Sequence, residues 1–354
     1  MRFGLFGGPS RAASPGPQDD AGAYRTYVDL VVEAEALGFY GVYLVEHHFT
    51  GRGQISSSLN LLSHLAARTS SMRLGTAVVV LPWHNPLLLA EQAATVDVLS
   101  DGRLDLGVGR GYREHEFGGF GVPIEEAQAR FDEAMAVLRL AWASERRFSH
   151  HGRYWHFEDV VVEPRPVQRP HPPLWLGAGS AESLERAGRE GYRLFLDQVG
   201  SFALQAERVA RYRAAQEAAG LPCSPADVAV TRSLRIARSS ADREGLVDRQ
   251  VASLTALAES TRPPEAGGRN LFYSAPEARR GVVEAGSIIG TPDECIERLR
   301  RLEAGGIEQV LFTGGPTADD IRFFAREVMP AFAPGEKAPT RRQHNPTPTP
   351  GGPR

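Results

Sequence analysis

Four short stretches of this chain carry side chains or backbone suited to chemistry. The first is Glu46-His47-His48-Phe49, directly after the apolar run Gly41 to Val45. An acid followed by two imidazoles supplies proton donors and acceptors that work near neutral pH. Adjacent histidines on extended chain point to opposite sides; His47 is read as the functional one, while His48 either lines the pocket or bonds to a nearby carbonyl. No HExxH pattern or helical i, i+4 pair of ligands accompanies them, so no metal site is expected. The second stretch is Gly107-Val108-Gly109-Arg110-Gly111-Tyr112. Its glycines let a ligand approach the backbone, and Arg110 offers a forked, permanently charged donor. It is not a dinucleotide fingerprint, because the third glycine is misplaced and no capped helix follows at once. The third stretch, Gly177-Ala178-Gly179-Ser180-Ala181-Glu182-Ser183, opens a helix and aims backbone N–H groups and two hydroxyls at whatever lies beyond its positive end. That pattern suits a phosphate and equally suits plain N-capping by Ser180; Arg110 on a neighbouring strand end favours phosphate. The fourth, Gly75 to Pro82, ends a strand with small residues against which a planar ring can lie.

Residues so far apart in sequence meet only if the fold gathers strand ends on one rim. Apolar runs alternate with helical patterns along the whole chain, the signature of parallel α/β structure. The expected strands are 3–6, 41–45, 73–80, 104–108, 174–177, 193–196, 228–237 and 309–313. The expected helices are 23–37, 59–68, 86–99, 125–143, 181–190, 204–219, 291–304 and 318–329. Eight of each predict a (β/α)₈ TIM barrel whose strand C-termini form the working rim. Thr291-Pro292-Asp293-Glu294 reads as N-cap, N1 proline and capping-box glutamate. Gly38, Gly191, Gly220 and Gly305 stand where left-handed helix ends are expected. Two connections exceed simple links: Gly7 to Gly22, and about 239–290, a partly helical insertion read as a lid. Residues 1–333 are expected to form one domain, and 334–354, rich in proline, a disordered tail.

Composition narrows the function classes. The formal charge is −3 with both signs interspersed, which argues against nucleic acid, and no apolar run is long enough to span a bilayer. The N-terminus does not read as a signal peptide. The two cysteines, Cys223 and Cys295, form no CxxC and are read as bystanders in a reducing cytoplasm.

Taken together, EHHF, RLGTAVVVLPWHNPLLLAEQAATVDVLSDGRLDLGVGRG, GAGSAESLERAG and GTPDECIERLRRLEAGGIEQVLF resemble the bacterial-luciferase-like flavin-dependent oxidoreductases, over about residues 1–330. The resemblance implies FMN, supplied reduced by a separate flavin reductase. Its phosphate would be held by Arg110, Gly179, Ser180 and Ser183, and its ring flanked by Ala77 and Val78, joined by a non-prolyl cis peptide. It also implies His47 as the catalytic acid/base and O₂ chemistry through a C4a-(hydro)peroxyflavin that oxygenates a small organic substrate. Phe6, His48, Trp83, His84 and Tyr112 are the expected substrate-pocket walls. Gly109 replaces a cysteine of the light-emitting enzymes, which argues against light emission. The rival readings are an F420-dependent dehydrogenase or reductase and a non-catalytic partner subunit. The resemblance also implies a homodimer that pairs through helices near the second and third strands, where Leu59 to Ala67 offers small and apolar positions.

Overall fold

The computed structural model describes residues 1–9, 20–51, 54–198, 200–260 and 276–333. The proline-rich tail, the core of the Gly7 to Gly22 connection and part of the insertion lie outside the described residues.

The apolar runs become strands buried on both faces, as parallel sheets covered by helices require. Barrel strands are β1 (Arg2–Gly7), β2 (Gly41–Leu44), β3 (Arg73–Thr76), β4 (Leu104–Gly109), β5 (Leu174–Gly177), β6 (Arg193–Leu196), β7 (Val228–Ile236) and β8 (Gln309–Thr313). Each pairs in parallel with the next, and β8 pairs with β1 through Arg2 opposite Gln309, so the sheet closes. The expected (β/α)₈ barrel is therefore the observed fold. The run expected as one strand over 73–80 is broken: β3 stops at Thr76, and a two-residue strand, Val79–Val80, pairs with Val108 and Gly109 of β4. The interruption is the cis peptide between Ala77 and Val78.

The outer helices are α1 (Asp20–Ala36), α2 (Ser58–Arg68), α3 (Pro86–Leu99), α4 (Ala127–Ala143), α5 (Ala181–Arg189), α6 (Phe202–Ala218), α7 (Pro292–Ala304) and α8 (Ala318–Glu327). Their starts follow the sequence chemistry. Thr291 and Glu294 close a capping box at α7, and Ser180 and Ser183 close another at α5. Gly38, Gly191 and Gly220 have the expected positive φ, but Gly305 does not, at −76°; the left-handed residue there is Gly306, at +82°. The helix expected from Glu125 begins as a 3₁₀ turn, Ile124–Glu126, before α4. The sequence reading missed a short helix, Glu114–Phe120, and an antiparallel hairpin, Phe148–His151 with His156–Val160.

Inside the barrel, Tyr43, Trp175, Phe195, Ala229 and Leu311 form a buried cluster. Glycines on the strands make room for these rings. A Cβ at Gly75 would lie 2.2 Å from the Tyr43 ring, and one at Gly107 would lie 2.0 Å from the Thr76 carbonyl oxygen. Below them Asp105, fully buried, accepts from the Tyr43 hydroxyl at 2.8 Å and from Arg73 at 2.6 and 3.2 Å. This polar plug seals the N-terminal end.

Between β7 and α7 the insertion contributes helices Asp242–Ser260 and Pro276–Gly286 and a short strand, Ile288–Gly290, which pairs in parallel with Leu234 to Ile236. The expected helix near 241–257 is thus present. Val247, Leu254, Val283 and Ile289 pack the insertion together. Among the described residues no helix is long and apolar enough to cross a membrane.

Candidate active site

At the C-terminal ends of the strands a cavity of about 1990 Å³ opens. That is about twice the upper end of the ~300–1,000 Å³ usual for one small ligand, so two ligands fit side by side. His47, Phe6, Ala77, Val78, Gly109, Arg110, Tyr112, Gly179, Ser180 and Ser183 all line it, which brings most of the sequence-predicted residues to one site.

His47 follows β2, where its N–H donates to the Ile55 carbonyl at 3.0 Å. Its Nδ1 lies 3.1 Å from Glu116 Oε1, which also accepts from the His48 N–H at 3.0 Å. Arg113 approaches the same oxygen at 3.7 Å. An ionised carboxylate can only accept, so Nδ1 carries the proton and Nε2 is left as the acceptor. Burial pulls the His47 pKa below its ordinary 6.5, against the opposing pull of Glu116. The imidazole is therefore neutral near pH 7. Burial opposes ionisation of Glu116, but the His47 hydrogen bond and charge, the His48 N–H and Arg113 hold its pKa below the ordinary value. Glu116 lies on the short helix after β4, in a segment with two glycines and no apolar period, and it was not anticipated.

Glu46 is a second hub. Its Oε1 meets Trp83 Nε1 at 2.8 Å, His48 Nε2 at 2.8 Å and His84 Nε2 at 2.9 Å, while Oε2 accepts from the Val80 N–H at 3.1 Å. Burial works against the charge, yet the hydrogen bonds from His48, His84 and Trp83 hold the Glu46 pKa down to about 2. Here the sequence expectation needs correcting. His48, Trp83 and His84 are not among the residues lining the cavity. Their ring nitrogens turn to Glu46, because a buried carboxylate without donors costs more than a pocket wall gains. The rings of His48 and Trp83 join Phe49, Phe117 and Phe120 in an aromatic cluster, with Trp83 stacked on Phe120 at 5.1 Å.

Ala77 and Val78 lie half-buried on the cavity wall and pack on the aromatic floor of Tyr43, Trp175 and Phe195. A Cβ at Gly109 would come within 2.5 Å of the Val78 side chain, so a larger residue such as cysteine fits there only if Val78 moves.

At the other end of the cavity Ser183 Oγ accepts from the N–H groups of Gly179 and Ser180 at 3.2 and 3.1 Å, and Ser180 Oγ accepts from the Ser183 N–H at 3.3 Å. The N-capping arrangement and an exposed hydroxyl pair therefore coexist. Arg110 is exposed and donates to Gln128 at 3.4 Å. A Cβ at Gly179 would lie 3.3 Å from the Arg208 guanidinium, which is held by Asp197 at 2.7 Å. Arg232, fully buried with its pKa pulled down to about 10 by burial, donates to the carbonyls of Asp197 and Gly200 and fixes that turn. Two hydroxyls at a helix N-terminus together with Arg110 form a donor set that fits a phosphate, while Arg208 is held back by Asp197 and is not among the residues lining the cavity. Among the described residues no group of three or more His, Cys, Asp or Glu is arranged to hold a metal ion.

Leu59, Leu61, Leu62, Leu65 and Ala66 of α2 are buried within the chain itself, so the expected pairing helix has little apolar surface to offer. Leu88, Val98 and Leu99 of α3, the helix that follows the third strand, are exposed.

The model of the luciferase-like monooxygenases matches residues 1–309. The uncharacterised protein y4vJ of Sinorhizobium fredii is 40% identical over 179 residues, 51% of this chain and 51% of that protein, so the chain spans about half the length of this relative. The oxygenase component of flavin-dependent trigonelline monooxygenase from Acinetobacter baylyi is 28% identical over 360 aligned residues, 94% of this chain and 96% of that protein. The F420-dependent glucose-6-phosphate dehydrogenase of Kineococcus radiotolerans is 34% identical over 170 residues, 46% of this chain and 49% of that protein. Among solved structures, monooxygenase RslO1 from Streptomyces bottropensis superposes with a TM-score of 0.81 at 27% identity, covering 94% of this chain and all of that one. A family match over most of the chain, on a closed barrel of the same shape, places this chain in the luciferase-like monooxygenase family.

Proposed function

We propose that this chain is the oxygenase component of a two-component, FMN-dependent monooxygenase that acts on a small organic substrate in the cytoplasm. The observation that carries the reading is His47, held by Glu116 at 3.1 Å, lining one cavity together with Ala77, Val78, Arg110, Ser180 and Ser183. When bound in reduced form, FMN would supply the two electrons that let O₂ give one oxygen atom to the substrate and the other to water. The chain does the rest. Arg110, Gly179, Ser180 and Ser183 would hold the phosphate, and Gly109, Ala77 and Val78 would shape the ring site. Nε2 of His47 would accept or return one proton, with Glu116 stabilising the imidazolium. The insertion would keep water out. That a relative is an oxygenase component supports a separate reductase as partner. A homodimer belongs to the same proposal.

The rival reading is hydride transfer with F420, which the partial likeness to an F420-dependent dehydrogenase favours. A longer anionic cofactor tail calls for free cations beyond the serines. There Arg186 is already paired with Asp132 at 2.5 Å and Glu190 at 2.9 Å, but Arg189 also lines the cavity and is exposed, so the charge of this wall does not separate the two cofactors. What supports the flavin reading is the likeness to a flavin-dependent oxygenase component over 94% of this chain, against 46% for the F420-dependent relative. The third reading, a non-catalytic partner subunit, is opposed by the intact pairing of His47 with Glu116.

The test is anaerobic loading with reduced FMN, rapid mixing with oxygenated buffer, and absorbance monitoring. The wild type is expected to delay flavin oxidation relative to free reduced FMN. His47→Ala is expected to bind flavin while turnover of an accepted substrate falls about 10²–10⁴-fold. Binding of F420 without binding or protection of reduced FMN would replace oxygen chemistry with hydride transfer.

A further inference from the structure

Beside the main cavity, under the insertion, lies a small compartment of about 80 Å³. It is well above the roughly 10–15 Å³ that admits one water and far smaller than the main cavity, so it suits a head group of a few atoms. Gln198, Ser253, Thr313 and Gly314 line both spaces, which makes the compartment a side pocket of the cavity. Its other polar walls are Ser233 on β7, Gln250 on the insertion's first helix and Ser287 after its second. Among the described residues no ionisable side chain lines it. Arg235, which donates to the carbonyls of Leu234 and Gly314 at 2.8 and 2.7 Å, is not among its lining residues.

Gln250 is the informative residue. It is only 7% exposed, its Nε2 donates to Ser233 Oγ at 2.8 Å, and its Oε1 has no hydrogen-bond partner among the described residues. Turning the amide over exchanges the two ends but still leaves one unpaired, because Ser233 can serve only one of them. A buried polar atom without a partner is costly and calls for a ligand group to complete it.

We propose that this side pocket is a substrate subsite for a neutral hydrogen-bonding group, a hydroxyl or carboxamide, with Gln250 as its specificity determinant. The proposal rests on the cavity being the reaction site, as proposed above. A carboxylate or ammonium would be desolvated there with no opposite charge among the lining residues, so charged head groups are disfavoured. An apolar group would leave the Gln250 amide unpaired.

The test uses four cyclohexanones with methyl, hydroxyl, carboxamide or carboxylate at the 4-position, titrated by ligand-observed NMR against the flavin-free chain. The hydroxyl and carboxamide probes are expected to bind about tenfold tighter than the methyl probe, with the carboxylate weakest, the size of effect one buried hydrogen bond supports. In Gln250→Leu that preference should vanish or reverse. Ser253→Ala, at an exposed position, should weaken the preference about twofold or more and serves if Gln250→Leu misfolds. Equal binding of the four probes, no binding of any, or a preference that survives Gln250→Leu would mean that the amide answers only to water, and the proposal falls. The reduced-FMN protection assay separates the two readings: selective probe binding without flavin protection overturns the monooxygenase and leaves the subsite, and the reverse pattern does the opposite.

Discussion

Each end of the barrel buries a carboxylate, and the partners differ in kind. At the closed end Asp105 is paired with Arg73 and the Tyr43 hydroxyl. At the open end Glu46 and Glu116 are hydrogen-bonded to His48, His84 and His47, with the Arg113 guanidinium farther from Glu116, at 3.7 Å. A guanidinium keeps its charge at any pH the protein meets, whereas an imidazole changes charge between about pH 5 and 8. The closed end therefore has fixed electrostatics and serves stability. The open end uses equally buried carboxylates to orient imidazole rings, His47 among them, at the mouth proposed above as the reaction site.

Removing the fixed charge breaks the comparison most severely. Asp105→Ala leaves the Arg73 guanidinium and the Tyr43 hydroxyl without their partner and is expected to cost about 3–5 kcal/mol, read by urea unfolding. Refolded protein that retains wild-type stability would show that the plug contributes little.

Glu46→Gln tests the open end through acid stability. The folded pKa of Glu46, about 2, lies below its ordinary 4.5, so its contribution is complete above pH 4.5 and is lost as the pH falls toward 2. The difference amounts to roughly 3 kcal/mol. The wild type should lose that much more stability across this window than the Glu46→Gln variant. Parallel acid-unfolding curves would refute it.

The smallest effect sharpens the contrast. Glu116→Gln removes the negative charge that raises the His47 pKa, so this pKa should fall further below 6.5. If neutral His47 is the working base, the acidic limb of the pH–rate profile moves to lower pH. The maximal rate should drop about tenfold as tautomer control is lost. An unshifted limb with a lower rate would assign Glu116 a purely structural role.

Much of this was legible in the residues. Strands with continuous apolar runs and helices with Thr291 to Glu294 or Ser180 caps announce themselves locally, and so the barrel could be read. His47, Arg110 and the serines could be placed on one rim because strand order fixes where strand ends go. What stayed hidden depends on contacts across the fold. Trp83 and His84 lie more than thirty residues from Glu46 in sequence, and nothing local to them says that a buried carboxylate will claim their nitrogens. Glu116 sits in REHEFGGF, where paired glycines and exposed polar residues mask a short helix. The hairpin at Phe148–His151 has alternating half-buried and exposed residues too few to stand out from loop sequence.

The root of the insertion has a consequence for how such a chain diversifies. Its two ends are joined by a hydrogen bond from the Ala237 N–H to the Gly290 carbonyl, 2.7 Å long, beside the pairing of Ile288–Gly290 with β7. With the ends already pinned together, replacing the residues between them changes loop-closure entropy only as the logarithm of length. The segment therefore behaves as an exchangeable cassette on a fixed frame: recombination or laboratory grafting between Ala237 and Ile288 can rewrite the ceiling of the cavity while the eight-stranded floor keeps its register.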